Sequence, residues 1–504
     1  MNTVTDYLEH SACLYPDKIA MVDSKRKITF SDLRNEALHL ATNLANNQLF
    51  KQPIAIFLDK SIECVSALIG IAYSGNYYSI LDTKMPVQRL KNIISTFEPR
   101  VIVTNKEHLE QVETFKPQNC RTILWEEIMD GVIQAEKIID ASKKIVDSDV
   151  LYVLFTSGST GIPKGVVVSH KAVMTYTEWV HDAFHLNDSV VIGNQTPFYF
   201  SMSVLDIFQM LRNGCTMYII PRILFSFPVK LMEFIAQNKI NMIYWVPSAL
   251  CMIANLKALK KRDISCLKRI LFAGEVMPTK QLNQWMKSLP SALFANLYGP
   301  TEVTDICDYY IIDRKIRDEE PIPIGISCKN TDTFILGQDN KLIETEGEKG
   351  ELCVRGSTLA YGYLKDPAKT AKVFVQNPLQ NGYPEIIYRT GDIVHINNLG
   401  ELIYDGRKDF QIKHMGHRIE LGEIDTLVSS ITEIMQNCSI YDVKENMIVL
   451  FYSGNIEEAK LKQKLINLVP QYMIPNKFVK MDSLPINANG KINRQFLESY
   501  LHNN

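Results

Sequence analysis

The chain has 504 residues, of which 46% are hydrophobic and 22% charged, and its formal net charge is −2. Such values fit a globular protein with room for a large core and more than one domain, and the near-neutral balance gives no global pull toward nucleic acid or an anionic membrane. No apolar run reaches the ~18 residues of a membrane span, so membrane insertion is not expected. The opening stretch MNTVTDYLEHSACLYPDK carries acidic residues and no long apolar core, unlike a secretory signal, which favours the cytoplasm. Ten cysteines include no CxxC pair, and free buried thiols are expected. Neither HExxH nor HxH occurs, and His414 and His417 have no Cys or acidic partner at a ligand-like offset. A metal held by protein side chains alone is therefore not expected.

In chain order, 31–47 places Leu33, Ala37, Leu40, Ala41 and Leu44 at helical spacing. QPIAIFLD (52–59) reads as a buried parallel strand and 61–75 as the helix after it, ended by Gly75. RVIVTN (100–105) and RTILW (121–125) are further strands. CTMYIIP (215–221), INMIYWVP (240–247) and LKRILFAG (267–274) each end at Pro or Gly. This alternation predicts a large doubly wound α/β domain, in which ligands bind beyond the carboxyl ends of the strands. The texture changes at GRKDF (406–410). Beyond it lie about a hundred residues with their own strands and helices, enough for a small α+β domain. The expected division is 1–408 and 409–504.

LYVLFTSGSTGIPKGVVVSH (151–170) runs from an apolar strand into a loop holding Thr156, Ser157, Gly158, Ser159, Thr160, Gly161 and Lys164. Glycines let backbone N–H groups approach an anion, hydroxyls add donors, and Lys164 adds positive charge, so a polyphosphate is the natural ligand. It is not a Walker A loop, because Pro163 precedes Lys164 and Gly165 follows it.

With these residues the sequence resembles the adenylate-forming superfamily of acyl-CoA ligases, luciferases and nonribosomal peptide synthetase adenylation domains. The resemblance covers nearly the whole chain in motif order: YSGNYYSILDTKMPVQRL (73–90), the phosphate loop, NLYGPTE (296–302), GELCVRG (350–356), YRTGDI (388–393), GRKDFQIKHMGHRIELGEID (406–425) and NANGKINR (487–494). The last two patterns resemble amino-acid-activating members. LFAGEVMP (271–278) and the compact length are most similar to free-standing D-alanine–carrier protein ligases.

The resemblance implies a reaction in which ATP activates a carboxylic acid as its acyl-adenylate and the acyl group passes to a thiol. It makes Asp392 and Arg407 the ribose contacts, Tyr298 the adenine stacker and Asn296 an adenine hydrogen-bond partner. Thr301 becomes the α-phosphate contact and Glu302 the Mg²⁺ ligand, which suits a metal taking one carboxylate plus phosphate oxygens. Lys491 becomes the cation that reaches in for adenylation, where carboxylate and phosphate are two anions brought together. Asp409 stands at the family's hinge, which implies a mobile small domain, and Gly416 lines the path of the thiol. Lys413 is either a phosphate contact or a solvated surface lysine.

The acid pocket departs from the family pattern. Amino-acid-activating members carry Asp in a Phe-Asp-x-Ser segment that pairs with the substrate ammonium, and here Ser201 stands in its place. Asp305 falls at another pocket position. It either accepts an amine farther along the substrate or turns away into an internal salt bridge. Asp206 is a weaker candidate, read chiefly as structural. Met202, Leu205, Tyr244, Leu271, Ala273, Leu297 and Ile306 complete a mostly apolar cleft of moderate size. The chain ends thirteen residues after Lys491, and neither a Gly-Gly-x-Ser carrier segment nor an HHxxxD condensation signature occurs. The expected acceptor is therefore a separate phosphopantetheinylated carrier protein, with an acyl-CoA ligase using free CoA as the alternative.

Overall fold

Helix Phe30–Asn46 starts where the Thr29 side chain accepts the Asp32 N–H, and Leu33, Ala37, Leu40, Ala41 and Leu44 form its buried face. It packs on helix Ile62–Tyr73, capped in the same way by Ser61. The computed structural model describes residues 2–158, 162–260, 262–486 and 492–503. Lys491, Ser159 and Thr160 lie outside the described residues.

Two sheets organise the large part of the chain. One has nine strands. At its centre Ile19–Val22, Thr216–Ile219, Val191–Asn194, Met242–Trp245, Arg269–Phe272 and Leu293–Tyr298 run parallel, and Asp308–Ile311 returns antiparallel. The carboxyl ends at Asn194, Trp245, Phe272 and Tyr298 therefore share one edge. The second sheet has seven strands, with Pro53–Ile56, Tyr77–Ile80, Val101–Thr104 and Arg121–Leu124 parallel. In that sheet Val150–Thr156 pairs antiparallel with Lys164–Ser169, Thr156 opposite Lys164. The phosphate loop is thus the connection of a hairpin, closed at its base by two of its own expected ligand residues.

A third, antiparallel sheet of Thr331–Leu336, Gly350–Gly356, Phe374–Gln376, Ile386–Ile396 and Leu402–Arg407 is not read from the sequence, where its segments stand out only as motifs. The alternating burial of Ile386–Ile396 is the mark of a strand with one packed face. Its register sets Asp392 directly opposite Arg407.

Beyond Arg407 come a two-residue hairpin, Gln411–His414 with His417–Glu420, and a three-stranded sheet of Ile434–Asp442, Met447–Gly454 and Lys477–Lys480. Ile419, Ile424, Leu450 and Leu461 pack on one face of that sheet, and Cys438, Ile440, Val449 and Leu497 on the other. The main apolar cluster runs from Val4 to Val394 with Tyr404 against it, and the next begins at Ile412. Between the two parts lies a buried ion pair of Arg89 and Glu423, whose side chains are 6% and 0% exposed. No helix among the described residues is long and apolar enough to cross a membrane.

Candidate active site

Strand Leu293–Tyr298 ends at Gly299, where a Cβ would meet the Asp305 carbonyl oxygen at 2.3 Å, and the chain turns through Thr301–Val303. Only glycine permits that close return. Thr304 follows at φ +75°, a conformation rare for a β-branched residue and costing on the order of 1–3 kcal/mol. Its hydroxyl donates to the Thr358 carbonyl at 2.8 Å. The turn delivers Glu302 and Asp305 to opposite jobs.

Glu302 is fully buried. Arg418 donates to one of its oxygens at 2.6 Å and Tyr363 to the other at 2.7 Å, and Lys164 Nζ lies at 3.5 Å. Burial alone would raise its pKa, but Arg418 and Lys164 together hold it well below the usual carboxylate range. Lys164 is itself pushed down, by burial and then by Arg418. Its ammonium lies over the Tyr363 ring, 4.9 Å from the centroid. In the loop, Ser157 donates to the Arg418 carbonyl at 2.6 Å, and the buried Thr156 hydroxyl has no protein partner among the described residues.

Asp392 accepts from Arg407 at 2.5 Å and from the Tyr298 hydroxyl. Tyr298 is buried, with the Lys413 ammonium 5.3 Å from its ring centroid. Lys413 is therefore no solvated lysine, and burial pushes its pKa down. The Asn296 side-chain amide donates to the Pro323 carbonyl at 2.8 Å. Arg407 also clasps Asp409, with contacts of 2.6 and 2.9 Å.

Lys413 and Arg418 reach the site because the hairpin that carries them is seated in it. Its tip, Met415–Gly416, has φ of +52° and +78°, the geometry of a primed two-residue turn. The Gly416 N–H donates to Glu275 at 2.8 Å, and the other Glu275 oxygen accepts the Ser248 N–H at 2.9 Å. A Cβ on Gly416 would lie 2.5 Å from Val246 Cγ1. His417 stacks on Tyr472 at 3.5 Å and meets Phe200 edge-on at 4.7 Å.

Phe200 lies one residue before Ser201, the first of the expected acid-pocket residues. Met202, Leu205, Tyr244, Leu271, Ala273, Leu297 and Ile306 are all buried, at strand ends, at the start of helix Ser203–Asn213 and, for Ile306, in the segment leading into strand Asp308–Ile311. Ser201 Oγ lies 3.3 Å from Thr301 Oγ1. Asp305, 2% exposed, accepts the Tyr176 hydroxyl at 2.7 Å and the Tyr244 hydroxyl at 3.1 Å. No ion pair engages it among the described residues, so the internal salt bridge is excluded there. Burial pushes its pKa up to about 6, against the lowering effect of the Tyr176, Tyr244 and Ser201 hydroxyls. Asp206 accepts from Asn194 at 2.7 Å with Lys60 as its counter-charge, and it lies close enough to Asp305 for that carboxylate to raise its pKa. It braces the loop that leads to Ser201.

The structure thus gathers Ser157, Lys164, Tyr298, Thr301, Glu302, Asp392, Arg407, Gly416 and the pocket residues at one edge of the nine-stranded sheet. Sequence reading leaves out four participants. Arg418 stands within the 406–425 motif, where the resemblance assigns it no role. Tyr363 follows GELCVRG without a motif of its own. Glu275 lies in LFAGEVMP, and Tyr176 sits on a helix whose sequence shows only its amphipathic face.

A hydroxyl-, glycine- and lysine-bearing loop beside an Asp–Arg–Tyr cluster at parallel strand ends defines a nucleotide-dependent enzyme of the AMP-binding class. The chain belongs to that family: the description AMP-binding enzyme matches residues 8–364. It is similar to zwittermicin A synthase ZmaJ of Bacillus cereus, 33% identical over 96% of this chain and 92% of the relative. It is also similar to the D-alanine–D-alanyl carrier protein ligase of Staphylococcus aureus, 31% identical over 98% of each. Among solved structures, the Vibrio cholerae adenylation domain AlmE in complex with glycyl-adenosine-5′-phosphate superposes with a TM-score of 0.85 at 22% identity, covering 100% of this chain and 98% of that one. An artificially fused adenylation–PCP di-domain from Klebsiella oxytoca gives 0.82 at 21% identity, covering 96% and 94%.

Proposed function

We propose that this enzyme uses ATP to convert a small amino acid to its acyl-adenylate, releasing pyrophosphate, and passes the acyl group to the phosphopantetheine thiol of a separate carrier protein. The observation that carries this reading is the seated 411–420 hairpin. It brings a residue without a side chain, Gly416, against Val246 beside the acid pocket, and it closes the nucleotide side with Lys413 and Arg418. That arrangement suits thiol attack on an adenylate already formed. The names of the relatives, which include carrier protein ligases, point the same way.

The residues divide the work. Asp392 and Arg407 grip the ribose, Tyr298 stacks on adenine with Asn296 at its edge, and Thr301 meets the α-phosphate. The loop 156–164 takes the outer phosphates. Lys491 acts in a second orientation of 409–504, turning about Asp409, where it balances the charge of carboxylate and phosphate as they meet. Glu302 fits Mg²⁺ once Arg418 withdraws, since one carboxylate oxygen is then open beside the phosphate loop. The ion when bound neutralises phosphate charge.

The test is paired. Acid-dependent pyrophosphate exchange reads adenylation, and loading of a phosphopantetheinylated carrier against free CoA reads transfer. A kcat/KM higher for the carrier is expected. A higher value for CoA would make the protein an acyl-CoA ligase.

A further inference from the structure

Asp305 is a carboxylate buried to 2% exposure, and the groups that hydrogen-bond to it are neutral, the hydroxyls of Tyr176, Tyr244 and Ser201; the cation that acts on it, Lys413, does so only at longer range and least of these. An acid group sealed from water with no cation against it is costly, and it is normally kept only where something charged completes it. The backbone that places it is also strained, because Thr304 at φ +75° turns the chain inward just before it. Leu205, Leu271 and Ile306 are buried with it, and no ion pair engages Asp305 among the described residues.

The order of contacts gives the depth. Thr301, at the phosphate end, is 3.3 Å from Ser201, and Asp305 lies one hydroxyl deeper. Two tyrosines anchored on separate elements, helix His170–Phe184 and strand Met242–Trp245, fix one Asp305 oxygen. The Ser201 hydroxyl is a third group acting on the carboxylate. An ammonium at residue 201 would sit next to the reacting carboxyl group. One held by Asp305 sits at least one carbon farther on.

We infer that the acid activated by this enzyme is a small amino acid whose amine lies on the β carbon or beyond, and that Asp305, oriented by Tyr176 and Tyr244, is its counter-charge. This rests on the adenylation reading above and specifies its substrate. Ser201 is then a deliberate vacancy in charge: its small neutral side chain leaves room for Asp305 to look across the pocket and offers nothing to an α-ammonium.

The experiment measures pyrophosphate exchange with β-alanine, 3-aminobutanoate and 4-aminobutanoate, with glycine, L-alanine and D-alanine, and with propionate and butanoate. The expected result is kcat/KM at least about tenfold higher for a β- or γ-amino acid than for any α-amino acid. Asp305→Asn should lower that preferred value by about 100-fold or more, the loss expected when a buried ammonium is left without its partner. The exchange with amine-free acids should change less than about threefold. Tyr176→Phe and Tyr244→Phe, which keep the carboxylate but loosen it, should give smaller losses confined to amine-bearing acids. Efficient turnover of glycine or alanine by the unaltered protein, or an equal loss on amine-free acids in Asp305→Asn, would overturn the assignment. If no acid supports exchange, the adenylation reading itself fails. The inference is then decided by titrating β-alanyl and L-alanyl sulfamoyl adenosine: tighter binding of the β-alanyl analogue, lost in Asp305→Asn, upholds it, and equal binding overturns it.

Discussion

Replacing Gly416 with alanine separates the two half-reactions. The residue sits at φ +78°, and a Cβ there would lie 2.5 Å from Val246 Cγ1. The left-handed backbone costs an L-residue about 1–2 kcal/mol, but that strain is present wherever the hairpin goes and does not choose between orientations. The overlap with Val246 exists only when the hairpin is seated. Forcing one carbon into a packed contact costs about 1–3 kcal/mol, and each ~1.4 kcal/mol is a factor of ten. The seated arrangement should therefore lose about 5- to 150-fold in population, and carrier loading from preformed adenylate should fall by that factor. Pyrophosphate exchange should stay within about twofold. Val246→Ala removes the methyl in the way, so the double variant should recover most of the transfer rate. Single-turnover loading by quenched flow, beside equilibrium exchange, reads both quantities. Equal losses in the two assays, or no recovery in the double variant, would refute the steric argument.

Lys491→Ala should cut pyrophosphate exchange by about 100-fold or more while transfer from supplied adenylate suffers far less, because the cation is needed only where two anions meet; equal loss in both would remove that role. Asp409→Pro fixes φ and should trap one orientation, leaving adenylate formation intact with thioester transfer lost, as followed by adenylate accumulation in the presence of carrier. Burial raises Asp305 to about 6, above the ~3.9 of a free aspartate, and the amine-binding form is the carboxylate. Below about pH 6, kcat/KM for an amine-bearing acid should fall about tenfold per pH unit, a limb missing for an amine-free acid. Linkage gives the same group the opposite effect on the ligand-free fold. The native state takes up its proton first, so this contribution to stability rises as pH falls from about 6 to about 4. Thermal melts of Asp305→Asn against the unaltered protein check that sign.

The expected nucleotide half of the site rests on short runs: a hydroxyl–glycine–lysine loop whose chemistry points to phosphate, and Asp392 and Arg407, placed by the resemblance of their motifs, which the sheet sets face to face. The ring around Asp305 was not legible in that way. Tyr176 lies 129 residues away, on a helix whose sequence shows only that one side is buried. Lys413 was ambiguous for a related reason, since a lysine reads as surface until the fold lays it over an aromatic ring. The antiparallel sheet is hidden because its strands Gly350–Gly356 and Ile386–Ile396 carry the motifs GELCVRG and YRTGDI, whose glycines and charged residues interrupt the plain alternation of a one-faced strand.

Arg418 bears on the order of events in a catalytic cycle. Its guanidinium holds the hairpin down by donating to Glu302, and its backbone carbonyl accepts the Ser157 hydroxyl from the phosphate loop. On the proposed cycle both anchors belong to the place where the outer phosphates leave. While either anchor is engaged elsewhere, the hairpin has a weaker grip and the opening for the thiol is not built. On that cycle, seating doubles as a checkpoint that reads whether the site has been cleared. It needs no separate sensor, and it limits how often a carrier arm is admitted before there is an activated acid to collect.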